Sequence, residues 1–423
     1  IQGGPIYITD TRSGSMRLIS PYPRKSGSAG DAIVDHKYRF NWDAPIHVSP
    51  HDPKTVYYGG NVLFKSTNYG HSWEEISPDL TTDDAEKQQS SGGPVYVDNT
   101  AAEFHCTILT IAESPVEAGV IWVGTDDGNI QVTRDGGATW NNVTGNVKGL
   151  PAFTWVAKFE ASNFESGTAY VAVDNHRLDD FKPHVFKTTD YGETWTSLAG
   201  GLPQDDYVKV VREDPKNPNL LYVGMERGLY ASWDGGKTWV SIRNNLPPVS
   251  VRDIKIHPRE NDLIIGTHGR GAWILDDIAP LQKLSEAMNA DSYLFDARPA
   301  TRWQLWMRHA SLGEGTFVAH NPPAGAFINY YLKEAPEGPI NLTITDASGQ
   351  PVIDLTEKQP KAGVNRTVWN LRHAGPTPIS VLPPEAEGMM AMVERIFGSM
   401  GPPAVPGDYT VTLKIGENEH STN

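Results

Sequence analysis

The sequence predicts an all-β protein: a β-propeller of about five complete blades plus part of another, followed by an immunoglobulin-like β-sandwich. Three observations predict it. An eight-residue pattern recurs four times, as Ser66–Trp73, Thr133–Trp140, Thr188–Trp195 and Ser232–Trp239. Each copy follows a similar pair of short β-rich runs, such as Thr55-Val-Tyr-Tyr-Gly59, Val120-Ile-Trp-Val-Gly124 and Leu220-Leu-Tyr-Val-Gly224. The composition, with 40 Gly, 32 Pro and 12 Trp in 423 residues, suits many strands and turns better than helices.

The pattern reads Ser/Thr-x-Asp/Asn-x-Gly-x-Ser/Thr-Trp, the form known as an Asp box. Its Asp or Asn suits a turn because a short side-chain oxygen accepts bonds from nearby amides. The Gly supplies a positive φ, and the Trp offers a large apolar face to a neighbouring sheet. Before each strand pair stands one more strand ending in a turn, as in Ile46-His-Val-Ser-Pro50 and Val211-Arg-Glu-Asp-Pro215. The unit is therefore strand A, turn, strand B, hairpin, strand C, box and strand D, the plan of a four-stranded blade. Five units run from Asn41 to about Asp277, the last with a degenerate box at Gly269–Trp273, and Pro5–Pro21 reads as one hairpin of a further blade. Closure generally takes at least six blades, since otherwise sheet edges stay open. The expectation is that the missing strands come from an upstream fragment or another subunit.

The propeller is assigned to residues 1–278 and a linker to 279–296. Residues 297–423 form the sandwich, from period-two strands such as Ala326-Phe-Ile-Asn-Tyr-Tyr-Leu332 and Tyr409-Thr-Val-Thr-Leu-Lys-Ile415. A Met- and Ala-rich stretch near 380–404 reads as an insertion in it.

The net charge of −15 disfavours nucleic acid and anionic membrane surfaces, and no apolar run is long enough for a membrane span. Cys106 is the sole cysteine, so no intrachain disulfide forms, and its apolar surroundings read as core.

Strand order places the candidate site. Successive strands are antiparallel, so D-to-A connections and B–C hairpins share one face, and the boxes lie on the other. That removes Asp135, Asp190 and Asp234 from any catalytic role. The opposite face collects Glu103, Asp179, Asp206 and Glu226, candidates for the paired carboxylates of glycoside hydrolysis. It also collects Arg39, His105, Trp155, His176, Arg177, Arg227, Arg252, His268 and Arg270 as candidate ligand-binding residues. The hairpin between Val173 and Val185 is longer than its counterparts, and long loops on a rigid scaffold often carry function. The chain lacks the zinc-protease His-Glu-x-x-His, the hydrolase elbow Gly-x-Ser-x-Gly and an EF-hand loop. No metal site and no cofactor are predicted, apart from a Ca²⁺ option at the acidic hairpin Asp126-Asp127.

The boxes resemble those of the BNR-repeat superfamily, which includes sialidases, xyloglucan-degrading glycoside hydrolases and the luminal domain of sortilin. The resemblance is nearer still to large bacterial proteins labelled glycosyl hydrolase or sortilin-like. It rests on Tyr38-Arg-Phe-Asn-Trp-Asp-Ala-Pro45, His176-Arg-Leu-Asp-Asp180, Gly266-Thr-His-Gly-Arg270 and Ile274-Leu-Asp-Asp277, and, in the C-terminal part, on Asn365–Arg372 and Pro406-Gly-Asp-Tyr409. It implies an exported protein, secreted, periplasmic or on the cell surface. A true sialidase is disfavoured, because no Arg-Ile-Pro signature accompanies the arginines. The expected function is a protein- or glycan-binding or assembly module, with glycoside hydrolysis by paired mouth carboxylates as the alternative.

Overall fold

The computed structural model describes residues 5–22, 33–90, 92, 95, 104–303, 321–376 and 400–423. The chain divides into two compact units, Ile1–Ile256 with Ile264–Ile274, and His257–Leu263 with Leu275–Asn423. Among the described residues no helix is long and apolar enough to cross a membrane.

The first unit is a β-propeller built of consecutive antiparallel sheets, each a meander in chain order. Sheet one is Ile46–Val48, Val56–Gly59, Leu63–Ser66 and Glu74–Glu75; sheet two is Ile108–Glu113, Ile121–Thr125, Ile130–Thr133 and Asn141–Asn142. Sheet three is Trp155–Ala161, Ala169–Asp174, His184–Thr188 and Thr196–Ser197; sheet four is Val208–Glu213, Leu221–Met225, Gly228–Ser232 and Val240–Ser241. Sheet five, Val251–Ile256, Leu263–Thr267 and Ala272–Leu275, has three strands among the described residues. The hairpin Tyr7–Thr9 and Met16–Leu18 precedes sheet one and shares an apolar cluster with it through Ile6, Ile19 and Tyr22.

Apolar clusters sit between successive sheets, so the second strands are buried on both faces and read as nearly continuous apolar runs. Close approach has a sequence signature in the glycine ending strand B. A Cβ on Gly124 would stand 2.3 Å from Val156 Cγ1 of the next sheet, and one on Gly224 would stand 2.7 Å from Val251 Cγ1. Only glycine leaves room for the neighbouring inner strand there.

The repeat turns follow one hydrogen-bond scheme. The Thr133 hydroxyl donates to Asp135 Oδ1 at 2.8 Å and accepts the Gly137 amide at 3.0 Å. Asp135 then accepts from the amide and hydroxyl of Thr139, at 2.8 and 2.7 Å. Gly137 has φ +105°, and a Cβ there would stand 2.5 Å from the Ile76 carbonyl oxygen. The same bonds recur around Asp190 and Asp234. The Trp73, Trp140 and Trp239 indoles donate backward to carbonyls of the preceding sheet or hairpin, Ile19, Ile76 and Leu198. Trp195 donates to Gly192 within its own turn.

One expected box is absent. Gly269–Gly271 closes the hairpin between the second and third strands of sheet five, with the Thr267 amide bonded to the Gly271 carbonyl at 3.0 Å, and Trp273 lies within the third strand. The sequence mimics a box because a glycine turn shortly before a Trp serves either hairpin.

The second unit is a two-sheet sandwich. One sheet orders Ser292–Leu294, Ala326–Leu332 and Gly363–Trp369; the other orders Pro351–Glu357, Ile340–Asp346, Tyr409–Ile415 and Asn418–Thr422. Alternate residues Ile340, Leu342 and Ile344 meet Ile328, Tyr330 and Trp369 in one core. The stretch 279–296, expected as a linker, holds two short helices and then Ser292–Leu294, which pairs with Tyr330–Leu332 as an edge strand. Leu294 is part of the core, so the apolar Tyr293-Leu-Phe run is sheet and not tether. Most of the expected insertion, 377–399, lies outside the described residues.

Candidate functional site

The inner strands of sheets one to five surround a cavity of about 720 Å³. Its walls begin from a repeated irregularity. The inner strands of sheets two, three and four each carry a β-bulge near their start, leaving Leu109, Ala157 and Lys209 as the extra residues. A bulge turns a side chain out of the alternation, and all three residues line the cavity. In sheet four this brings a lysine into the channel from the run Val208-Lys-Val-Val211.

Lys209 anchors the cluster at the mouth. Its Nζ lies 2.6 Å from Asp174 Oδ2, 3.9 Å from Glu226 Oε2, and 4.2 Å from the centre of the Tyr207 ring. Asp174 ends the second strand of sheet three and also receives His176 Nδ1 at 2.5 Å, with Arg177 at 3.7 Å. The His176 ring stacks on Tyr207 at 4.6 Å, and the Arg177 guanidinium covers one face of Trp155 at 4.0 Å. Burial pushes the Asp174 carboxyl up, but bonds from Lys209 and His176 more than offset that and hold it below the usual carboxylate range. Burial pulls Lys209 below the usual lysine range despite Asp174. Tyr207 is pushed up to about 12 by burial and by Glu226.

Further along the channel, Arg212 bridges two acids, with Glu160 at 3.1 Å and Asp253 at 2.7 Å, while Lys158 reaches Asp253 at 3.4 Å. Burial raises the Glu160 carboxyl even beside Arg212. Burial also pulls His47 down to about 4, so this imidazole is neutral near pH 7. On the remaining side Arg252 donates to His268 Nδ1 at 3.1 Å. Trp42, 48 % exposed, and the half-buried Trp155 add aromatic surface to the same lining.

Of the residues picked from sequence, the structure gathers Trp155, His176, Arg177, Glu226, Arg252 and His268 in or beside this mouth. Others lie elsewhere with their own partners. Arg39 is buried and bound to Asp79 at 2.6 Å, Asp83 at 3.2 Å and the Cys106 carbonyl, tying loops together away from the cavity. His105 leans on Asp126 at 3.5 Å. Arg227 is engaged by Asp205 at 2.9 Å and Asp206 at 3.7 Å, and burial raises the Asp206 carboxyl. Asp179 caps the short helical turn His176–Leu178 in a left-handed conformation and is exposed. Arg270 is exposed in the hairpin of sheet five, and Glu103 lies outside the described residues.

The Asp126-Asp127 pair, a Ca²⁺ option by sequence, is occupied by protein donors. Asp126 accepts from Thr107 and Asn41, and Asp127 from Thr82 and Thr125. Among the described residues no group of three or more His, Cys, Asp or Glu is placed to hold a metal ion. Cys106 is buried and its thiol is pushed up to about 12, chiefly by burial, which leaves it a poor nucleophile.

Sequence reasoning missed Asp174, Lys209, Lys158, Glu160, Arg212 and Asp253. The available signal was charge inside apolar inner strands, as in Val208–Glu213, because buried charges persist only when paired.

No family model matches the chain. Among curated proteins it is similar to a xyloglucanase from a Paenibacillus species, 27 % identical over 223 residues, which is 46 % of this chain and 20 % of the relative. It is also similar to the xyloglucanase Xgh74A of Acetivibrio thermocellus, 26 % identical over 220 residues, 47 % of this chain and 25 % of the relative. The matches thus span a quarter or less of these relatives' length. Among solved structures, a GH74 xyloglucanase from Xanthomonas campestris aligns with a TM-score of 0.44 and 16 % identity, over 76 % of this chain and 46 % of that one.

Proposed function

We propose that this chain is part of an exported carbohydrate-active protein of the glycoside-hydrolase type, an Asp-box propeller whose channel mouth takes a sugar chain. In this reading the sandwich is its immunoglobulin-like companion. The observation that carries it is the mouth itself, where the indoles of Trp42 and Trp155 stand beside hydrogen-bonding charges in one cavity. Aromatic faces accept the apolar faces of sugar rings, and a few fixed polar groups orient the hydroxyls. The similarity to two xyloglucanases supports the same class.

Two carboxylates suit the chemistry. Asp174 and Glu226 each have an oxygen near the single ammonium of Lys209, at 2.6 and 3.9 Å. Those oxygens therefore stand at most about 6.5 Å apart, within reach of the roughly 5–5.5 Å spacing of retaining glycosidases. Asp174 stays ionised beside Lys209 and opposes positive charge developing on a sugar ring. Glu226, on the more open side, donates a proton to the glycosidic oxygen as the C1–O bond breaks, and recovers one from the water that adds to C1.

The test is calorimetric binding of a panel of neutral and acidic oligosaccharides, followed by reducing-end release. Trp155→Ala weakens binding about tenfold or more, in the range of one lost aromatic anchor. Glu226→Gln abolishes release and retains binding. If no oligosaccharide binds the intact chain, the reading fails.

An assembly role is a second reading, favoured by the two ends of the sheet series. Among the described residues no strand pairing joins the hairpin 7–18 to sheet five. Tyr7, Met16 and Leu18 at one end and Ile274 and Leu275 at the other are exposed. Strands from another polypeptide would cover them.

A further inference from the structure

The cavity is lined by five lysines and arginines against four carboxylates, in a chain whose net charge is −15. Most of that charge is internally matched. Lys209 meets Asp174, Arg212 meets Glu160 and Asp253, and Lys158 meets Asp253. Two cations remain, Arg252 and Lys255 on the inner strand of sheet five, against one acid, Asp43, so the lining keeps a net positive charge. Among the described residues neither has a carboxylate within ion-pair distance. Both are exposed toward the cavity, and three residues of strand set their backbones about 10 Å apart.

Arg252 is held as well as unmatched. A guanidinium only donates, so in its 3.1 Å contact His268 Nδ1 is the acceptor and carries no proton on that nitrogen. A neutral partner fixes the orientation of the arginine without cancelling its charge. This differs from Lys158, Lys209 and Arg212, each of which is oriented by an acid. A preoriented guanidinium with free donors suits a planar or tetrahedral oxyanion.

We infer that the channel's ligand is an anionic glycan, a chain bearing carboxylate or sulfate groups, with acidic substituents held by Arg252 and Lys255. The inference rests on the reading that the mouth takes a glycan, and it narrows that glycan's class. Trp42 and Trp155 take the sugar rings, and the two free cations select against a neutral chain. The excess negative charge elsewhere on the molecule gives no general attraction for such a ligand, so any preference must arise locally.

The experiment is titration calorimetry of the intact chain at about 0.15 M salt, where screening confines fields to about 8 Å. The probes are an oligogalacturonate, a sulfated galactan oligosaccharide and a neutral xyloglucan oligosaccharide. At least one acidic probe binds about tenfold or more tighter than the neutral one, as expected for charge pairs in a partly desolvated site. Which acidic probe wins distinguishes carboxylate from sulfate. The double variant Arg252→Gln/Lys255→Gln removes that preference, whereas Arg270→Gln, outside the cavity, preserves it. Circular dichroism of the double variant stays that of the parent, since both side chains are exposed. Equal affinity for neutral and acidic probes, or an acid preference that survives the double substitution, overturns the inference and leaves the glycan reading standing. Binding of none of the three probes overturns both.

Discussion

Asp135 is among the most bonded carboxylates of the first unit, and all of its partners stabilise its own turn. Bonds from Thr139, chiefly the hydroxyl, hold its carboxyl down to about 2 from an ordinary 3.8. A depressed carboxyl contributes stability that is fully present above its unfolded value and is lost as pH falls through its folded value. Acid unfolding of the parent should therefore steepen between pH 3.8 and about 2. Asp135→Asn should be less stable at neutral pH and show a flatter dependence in that window, followed by fluorescence during acid titration. A parallel acid dependence in the variant would exclude this turn as a source of it. The four repeats carried this much in the sequence, because a turn's bonds are local. Lys209 shows the opposite case. Its chemistry depends on Asp174, 35 residues away, and on a bulge that period-two reading does not see.

The element that organises the first unit is the blade, and its cohesion lies between blades. Trp140 bonds the Ile76 carbonyl and packs with Tyr57, Leu63, Ile108 and Ile121, joining sheets one and two. Trp140→Ala should cost about 3 kcal/mol, the low end for an aromatic truncation because the ring is only partly buried. Denaturant unfolding measures this, and glycan binding at the distant mouth should be unchanged. A Trp140→Ala protein of parental stability would mean that the apolar clusters hold without the indole. Strand positions and box turns were legible from composition and spacing. The false box at Gly269–Trp273 was not distinguishable, since only pairing shows which hairpin a glycine turn closes.

For the whole molecule the two ends of the sheet series matter most, since among the described residues no strand pairing joins them. Exposed apolar residues at a sheet's flank favour association. Sedimentation velocity should show concentration-dependent self-association of the chain, reduced by Ile274→Lys, a substitution at a side chain 59 % exposed. A strictly monomeric chain across the accessible concentration range would count against an assembly role for these faces.

Sequence by itself determined the class of fold, the repeat unit and the turn-forming role of the boxes. Each follows from local chemistry: turn bonds, glycine conformations and alternating strands that reverse direction. Tertiary structure alone decided which charges share a site. Asp174, Lys209, Glu226 and Tyr207 come from two sheets, and Arg212, Glu160 and Asp253 from three. It also decided that Arg39, His105 and Arg227 each face a carboxylate and that, among the described residues, Arg252 contacts His268 and no acid. The physical reason is that a charge's role depends on what neutralises it, and in a propeller the neutralising group sits one blade away, dozens of residues along the chain.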